Sequence, residues 1–178
     1  QVTPGTYTAY ASFEGDDSLL PSGATRSFLV TKVTTTTGIF LDPEVTLKAG
    51  AESGVTATVR DDHGDPLDFR TVFFVVDEKN GPGGYTVTRL TDGAGTASLG
   101  RIPTPFAGNR AYTITAYYAK QFTSVPDGST VDTTDLIYQG SQSSLPYNPN
   151  EDLIIGKGDQ TVTFVDLPDS ASVTDTLD

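Results

Sequence analysis

The chain has no cysteine, methionine or tryptophan, and it has a single histidine, His63, among its 178 residues. Without cysteine it can form no disulfides, thiolate metal sites or cysteine nucleophiles. A Ser-His-Asp triad would have to use a histidine that sits in a polar turn. These absences argue against catalysis, and we predict that the protein is not an enzyme.

Basic residues are also scarce, with 11 Lys and Arg against 23 Asp and Glu and a formal net charge of −12. A surface of this charge repels nucleic acid and anionic lipid, and its simplest role is solubility. No apolar run in the sequence is long enough to span a bilayer. We therefore expect neither nucleic-acid binding nor membrane insertion.

What the sequence does contain is short alternating runs of Thr, Val and Tyr between clusters rich in Gly, Pro and Asp. Alternation of apolar and polar residues is typical of strands with one buried face, and the clusters are typical of turns. No segment has helical periodicity, so the pattern predicts an all-β protein. The predicted strands are 6–13, 24–33, 37–41, 45–48, 53–60, 70–77, 85–91, 95–99, 111–119 and 160–165. The predicted core residues are Val55, Val59, Val72, Phe74, Val76, Leu99, Ile114 and Phe164.

The sequence also repeats itself. Residues 7–13 match 112–118, the Leu-Pro pair at 20–21 matches 145–146, and residues 26–30 match 162–165. Self-similarity of this kind indicates structural repeats. We interpret residues 1–32 as the closing strands of one repeat and residues 33–166 as a complete second repeat with an insertion at 120–159. Residues 167–178 are a tail or the start of a further domain.

Four segments in a fixed order carry a family resemblance: 55–67 (VTATVRDDHGDPL), 72–76 (VFFVV), 90–99 (LTDGAGTASL) and 112–116 (YTITA). Together they resemble the bacterial immunoglobulin-like repeats of the invasin and intimin type. The resemblance implies an immunoglobulin-like β-sandwich that serves as a stalk or adhesive module of an extracellular, cell-surface protein.

We therefore expect a structural or adhesive module of a surface protein or filament, such as a stalk, a surface layer or a pilus-like fibre. Its partners would be neighbouring repeats or identical subunits. A lone two-stranded hairpin is marginal in water, so the strands of residues 1–32 require a partner, and strand complementation between subunits is one way to supply it. The alternative is a module that binds a glycan or a protein, on a host or another surface, through the 120–159 insertion.

Two sets of residues are candidate sites. Asp61, Asp62 and Asp65 crowd one turn, where carboxylates and carbonyls can hold Ca²⁺, although Asp is also an ordinary turn residue. No other cofactor is expected. The second set is the aromatic residues of the insertion: Phe122, Tyr138 and Tyr147. They would either contact a ligand or fasten the insertion to its own domain.

Overall fold

The computed structural model describes residues 2–103, 110–119, 135–146 and 151–161, together with the backbone of 121–122 and 131–132. Over these residues the protein is all-β. The strands are β1 (Gly5–Phe13), β2 (Ser22–Val30), β3 (Thr35–Leu41), β4 (Val55–Asp61), β5 (Thr71–Glu78), β6 (Gly84–Leu90), β7 (Thr96–Ser98), β8 (Arg110–Tyr118), β9 (Gln121–Phe122), β10 (Val131–Asp132), β11 (Ser141–Leu145) and β12 (Leu153–Ile155). Within that part of the chain, no helix is long and apolar enough to cross a membrane.

Two antiparallel sheets enclose one hydrophobic core. One sheet has the order β11–β8–β5–β6, with β12 also paired to β8, and the other has the order β3–β4–β7. Strand β4 shows why the sheets face each other, because Val55, Ala57 and Val59 are fully buried while the threonines between them are not. An alternating strand must bury its apolar face against another layer. The result has the character of a β-sandwich.

Seven of the eight predicted core residues lie in this core and are at most 1% exposed. The eighth, Phe164, lies outside the described residues. The apolar strand β5 lies inside its sheet, paired with β6 on one side and β8 on the other. Within β5, the adjacent residues Phe73 and Phe74 are both buried, although adjacent side chains of a strand point to opposite faces of the sheet.

Strands β1 and β2 form a separate two-stranded hairpin and, among the strands that the structure describes, pair only with each other. Almost every side chain of the hairpin is exposed, whereas the strands of the sandwich bury alternate residues. Its one aromatic contact is the stack of Tyr7 on Phe28, whose ring centroids are 6.0 Å apart. Both edges of the hairpin are open among the described strands.

Two predicted strands differ from the structure. Residues 45–48 form a turn and a single bridge, in which the Val45 amide bonds to the Asp42 carbonyl and Lys48 pairs with Gly156. At the predicted strand 160–165, Gln160 and Thr161 are not in a strand, and residues 162–165 lie outside the described part.

Residues 120–159, interpreted from the sequence as an insertion, contain strands of the sandwich. This segment contributes β11 and β12, which pair with the edge of β8. Among the described residues, β8 is therefore paired with β5 on one edge and with β11 and β12 on the other. The sheet is completed by strands from within the predicted insertion.

Candidate functional site

The turn after β4 is organised by the side chain of Asp61. Its Oδ1 atom accepts hydrogen bonds from the backbone amides of His63 and Asp65, both at 2.9 Å. The Gly64 amide donates to the Asp61 carbonyl at 3.1 Å, and Gly64 has a φ of 86°, which favours glycine. Asp61 therefore has a structural task in the turn.

A second turn uses the same hydrogen bonds. Asp92 Oδ1 accepts the amides of Ala94 and Thr96, both at 2.9 Å, and the Gly95 amide donates to the Asp92 carbonyl. The shared Asp-x-x-Gly pattern accounts for Asp61 as it accounts for Asp92, without a ligand. The pattern does not account for Asp62 and Asp65, the other two acids of the first turn.

The predicted calcium residues are only partly brought together. Asp61, Asp62 and His63 each offer one ligand atom, and these atoms lie within 4.8 Å of one another. Asp65 is not a member of this group, and His63 Nδ1 lies 2.9 Å from Asp62 Oδ1. Calcium prefers an all-oxygen shell, whereas imidazole suits transition metals. The calcium site stays a prediction that now rests on Asp61 and Asp62.

The three aromatic residues of the second candidate site have different outcomes. Tyr138 is half-buried, packs against the core and lies under the Arg70 guanidinium, which is 5.1 Å from its ring centroid. The backbone of Phe122 lies in β9, which pairs with β10, and Tyr147 is outside the described residues. The contacts of Tyr138 are those of an anchor.

Tyr138 belongs to a cluster around Asp135, a residue that the sequence did not single out as a site. Asp135 Oδ2 accepts hydrogen bonds from the Tyr118 hydroxyl at 3.1 Å and from Arg70 at 3.2 Å. Its Oδ1 accepts the amides of Ile137 at 2.8 Å and Tyr138 at 3.1 Å. One carboxylate thus joins β8, the start of β5 and the segment before β11.

The cluster shifts the pKa of two groups in opposite directions. Burial alone would raise the pKa of the Asp135 carboxyl, but the hydrogen bonds from Ile137, Tyr138 and Tyr118 and the charge of Arg70 together lower it. Burial raises the pKa of the Tyr118 hydroxyl, and the neighbouring Asp135 charge raises it further. At neutral pH the carboxyl is ionised and the hydroxyl is protonated, as their hydrogen bond requires.

The same segment holds the linker between the hairpin and the sandwich. Lys32 Nζ donates to the Asp135 carbonyl at 2.6 Å. The Val33 amide donates to the Ile137 carbonyl at 2.9 Å, and the Gln139 amide donates to the Val33 carbonyl at 2.7 Å. The hairpin is therefore joined to the sandwich through a bonded connector, which we call the joint (Lys32–Val33 with 135–139).

The last described strand of the sandwich, β12, ends at the other end of β8. The joint lies at the Tyr118 end, where Thr35 bonds to Ser141. Strand β12 ends with Ile155 opposite Arg110, and the following Gly156 amide donates to the Leu47 carbonyl at 2.8 Å. The nine residues of β8 separate these two points by about 27 Å, given a rise of about 3.4 Å per residue.

A buried acid shapes the loop at this second end. Glu78 is 7% exposed, forms an ion pair with Arg110 and accepts the Gly83 amide at 3.0 Å. A Cβ atom at Gly81 or Gly83 would lie 2.2 Å from a Glu78 carboxylate oxygen. A side chain at either glycine would therefore displace the Glu78 carboxylate from its present position, in which it accepts the Gly83 amide and shapes the β5–β6 connection.

Comparison with known proteins adds no identity. No family model matches the chain. No curated protein matches it either.

Proposed function

We propose that this chain is a structural module of an extracellular stalk or filament, built as an immunoglobulin-like sandwich of the bacterial surface type. The observation that carries the proposal is that the joint lies at the Tyr118 end of β8, whereas the last described strand, β12, ends at the Arg110 end. A module threaded in this way adds length to an array, because each unit is placed beyond the previous one.

The strand order supports the immunoglobulin-like assignment. In the nomenclature of that fold, β3, β4 and β7 correspond to strands A, B and E. Strands β5, β6 and β8 correspond to C, C′ and F, and β11 with β12 corresponds to G. With this correspondence, the observed strand orders agree with the sheets A–B–E and C′–C–F–G of an immunoglobulin-type sandwich, which supports the proposal.

The polar clusters support a structural task. Asp61, Asp135 and Glu78 each accept hydrogen bonds from backbone amides that shape a turn, the joint or a loop. Carboxylates saturated in this way are poor candidates for acid–base chemistry and good candidates for rigidity. A rigid unit with a bonded connector is what a stalk requires of its parts, with neighbouring repeats or identical subunits as its partners.

The proposal is tested by pulling on the module along the direction in which a stalk would bear tension. The chain has no cysteine, so Thr34→Cys and Lys157→Cys, both at exposed positions, give unique attachment points. We expect a single cooperative rupture that releases about 400 Å of contour length, at about 3.5 Å per residue. Unfolding in several small steps at low force would contradict a tension-bearing role.

A second candidate function is ligand binding, favoured by one cavity. Where β11 stops and β12 resumes, a cavity of about 270 Å³ opens between Phe40, Leu145, Pro146 and Leu153. Its position within the 120–159 segment agrees with the alternative of a glycan- or protein-binding module. A glycan array probed with the wild-type chain and with Phe40→Ala tests it. A ligand bound by the first and lost by the second would support binding.

A further inference from the structure

The β1–β2 hairpin repeats the pairing of β8 with β11 and β12 at every position except Thr113, which has no partner in those two strands. When residues 7–13 are aligned with residues 112–118, each of the remaining cross-strand pairs of the hairpin corresponds to a cross-strand pair of the sandwich. The corresponding pairs are Phe13–Ser22 and Tyr118–Ser141, Ala9–Arg26 and Ile114–Leu145, Tyr7–Phe28 and Tyr112–Leu153, and Gly5–Val30 and Arg110–Ile155. Strand β2 therefore corresponds to β11 and β12 taken together. This alignment comes from hydrogen-bond register, whereas the sequence match of residues 26–30 with 162–165 falls on residues outside the described part.

The alignment also assigns the two faces of the hairpin. On β8 the core-facing side chains Tyr112, Ile114, Ala116 and Tyr118 are all buried. Their equivalents on β1 are Tyr7, Ala9, Ala11 and Phe13. Directly opposed residues share a face, so Phe28 and Val30 lie on the same side. This apolar face, Tyr7–Ala9–Ala11–Phe13 with Phe28 and Val30, has the composition of a core surface, yet Phe28 is 51% exposed and Phe13 is 43% exposed.

The two copies differ in ways that leave this pairing intact. Residues 14–21 connect β1 to β2, whereas the longer segment 119–140 connects β8 to β11. Strand β2 is continuous, whereas residues 146–152 interrupt its equivalent between β11 and β12. The additions therefore lie between paired strands, and the register on either side of them is unchanged.

We propose that β1 and β2 are the closing strands of a second sandwich. The remaining strands of that sandwich, which would be equivalent to β3–β7, belong to the same polypeptide. The inference rests on the proposed function, since it names the partner of the hairpin within an array. A β5-like strand would pair with the free edge of β1 as β5 pairs with β8, and a β3–β4–β7-like sheet would cover the apolar face. The interface is the one that β8 already makes.

A second copy of the hairpin is the weaker fit for this face. Arg26 lies in its middle, opposite Ala9, where the sandwich has Leu145. Two hairpins packed face to face would bring two guanidinium groups into one apolar layer, where burying unpaired charges is costly. A sheet from another unit would leave a single guanidinium group in that layer.

The test extends the full chain by its own sequence. Residues 33–109 are placed directly before Gly5, so that the segment that leads into β8 now leads into β1. Hydrogen exchange is then measured on the amides of β1 and β2 in the original and the extended chain. We expect the extension to slow exchange of β1 by about 100-fold, because the strand gains a second bonded neighbour and a covered face.

Two variants control this measurement. In the extended chain, Ala9→Asp places a charge on the apolar face and should abolish the protection, whereas Thr8→Asp, on the opposite face, should keep it. If the new junction itself prevents folding, a second chimera replaces residues 110–155 of the sandwich by residues 5–30. The proposal expects this chimera to form a cooperatively unfolding sandwich, and it is overturned if neither chimera protects β1.

The outcome can be separated from the proposed function. If the chimeras fail to protect β1, but pulling between residues 34 and 157 of the original chain still gives a single rupture, only the inference about the hairpin is overturned. Light scattering of the original chain, with and without residues 1–32, adds a further check. We expect monomers in both cases, and a polymer that is lost on truncation would show instead that the hairpin joins identical subunits.

Discussion

Strands β1 and β8 have the same alternating pattern and the same kind of antiparallel partner, but they differ in what surrounds them. Strand β8 pairs on both edges and buries Tyr112, Ile114 and Tyr118, whereas β1 pairs on one edge and buries almost nothing. The amino-acid pattern sets which face of a strand is apolar. Only the presence of a second layer turns that face into a core.

The difference has an energetic meaning. Apolar burial contributes roughly 25 cal/mol per Å² removed from water, and an isolated two-stranded hairpin offers too little of it to offset the entropy of ordering its chain. The hairpin should therefore contribute little to the cooperative stability of the chain. The sandwich should carry nearly all of it.

The largest test of this comparison is truncation of one phenylalanine in each region. Phe74→Ala in β5 removes a fully buried ring and should lower the free energy of unfolding by about 4 kcal/mol. Phe28→Ala in β2 should change it by less than about 0.5 kcal/mol, because its ring is half exposed. Chemical denaturation followed by circular dichroism measures both. Equal losses would show that the hairpin is part of the cooperative unit.

Three glycines in turns test the same comparison of the sandwich with the hairpin, with smaller expected losses of stability. Gly95 has a φ of 71°, and a Cβ there would lie 2.7 Å from the Val59 carbonyl oxygen, so Gly95→Ala should cost about 3 kcal/mol. Gly64→Ala has a similar φ but open space around it and should cost about 1 kcal/mol. Gly15→Ala, in the hairpin turn, should leave global unfolding unchanged despite its 2.8 Å approach to the Leu19 carbonyl oxygen. Thermal and chemical unfolding of the three variants checks this order.

Much of the sandwich could be predicted from the sequence because alternation reports burial directly. The apolar alternation of β4 and β8 and the continuous apolar run of β5 gave both the strands and the core residues. Strand β11 has the sequence Ser-Gln-Ser-Ser-Leu and β12 has only three residues, so neither carries a signal of its own. They become strands because the edge of β8 offers hydrogen bonds, and this is a tertiary effect.

The candidate site was less predictable for a related reason. Aspartates in a turn are visible in sequence, and the Asp61 turn is where the pattern placed it. The joint is different, because Asp135 bonds to groups of Arg70 and Lys32 that lie 65 and 103 residues away in the chain. No local pattern encodes contacts at such separations, and single-sequence reasoning could not connect them.

The joint itself provides the next test, since it is where the two regions meet. Asp135→Asn removes the charge that Arg70 faces but keeps an oxygen for the amides, and should cost about 1.5 kcal/mol at pH 7. The folded pKa of Asp135 lies below its unfolded value. Its stabilisation is therefore complete at neutral pH and is lost as the pH falls below the ordinary aspartate value towards the lower folded one.

Urea denaturation of the wild type and of Asp135→Asn between pH 7 and pH 2.5 measures this effect, and the two free energies should converge at the acidic end. Asp159→Asn is the matched control, because its carboxylate is 86% exposed in an ion pair with Lys48. It should shift stability by less than about 0.5 kcal/mol. A constant difference between wild type and Asp135→Asn at all pH values would mean that the charge is not what stabilises the joint.

The smallest expected effect concerns calcium, and it again compares the two regions, because each has a turn with adjacent aspartates. Extracellular calcium modules bind with dissociation constants of about 10⁻⁴ to 10⁻³ M. At 1 mM Ca²⁺ a site at Asp61 and Asp62 would then raise the free energy of unfolding by about 0.4 to 1.4 kcal/mol.

Asp62→Asn should remove this gain without disturbing the turn, since the amides of the turn bond to Asp61. Asp17→Asn, in the hairpin, should leave it intact, because ligands bound by the hairpin do not stabilise the sandwich. Thermal unfolding with calcium or with chelator measures all three chains. An identical melting temperature in both conditions for the wild type would mean that these aspartates serve the turn and the solubility of the surface, and hold no ion.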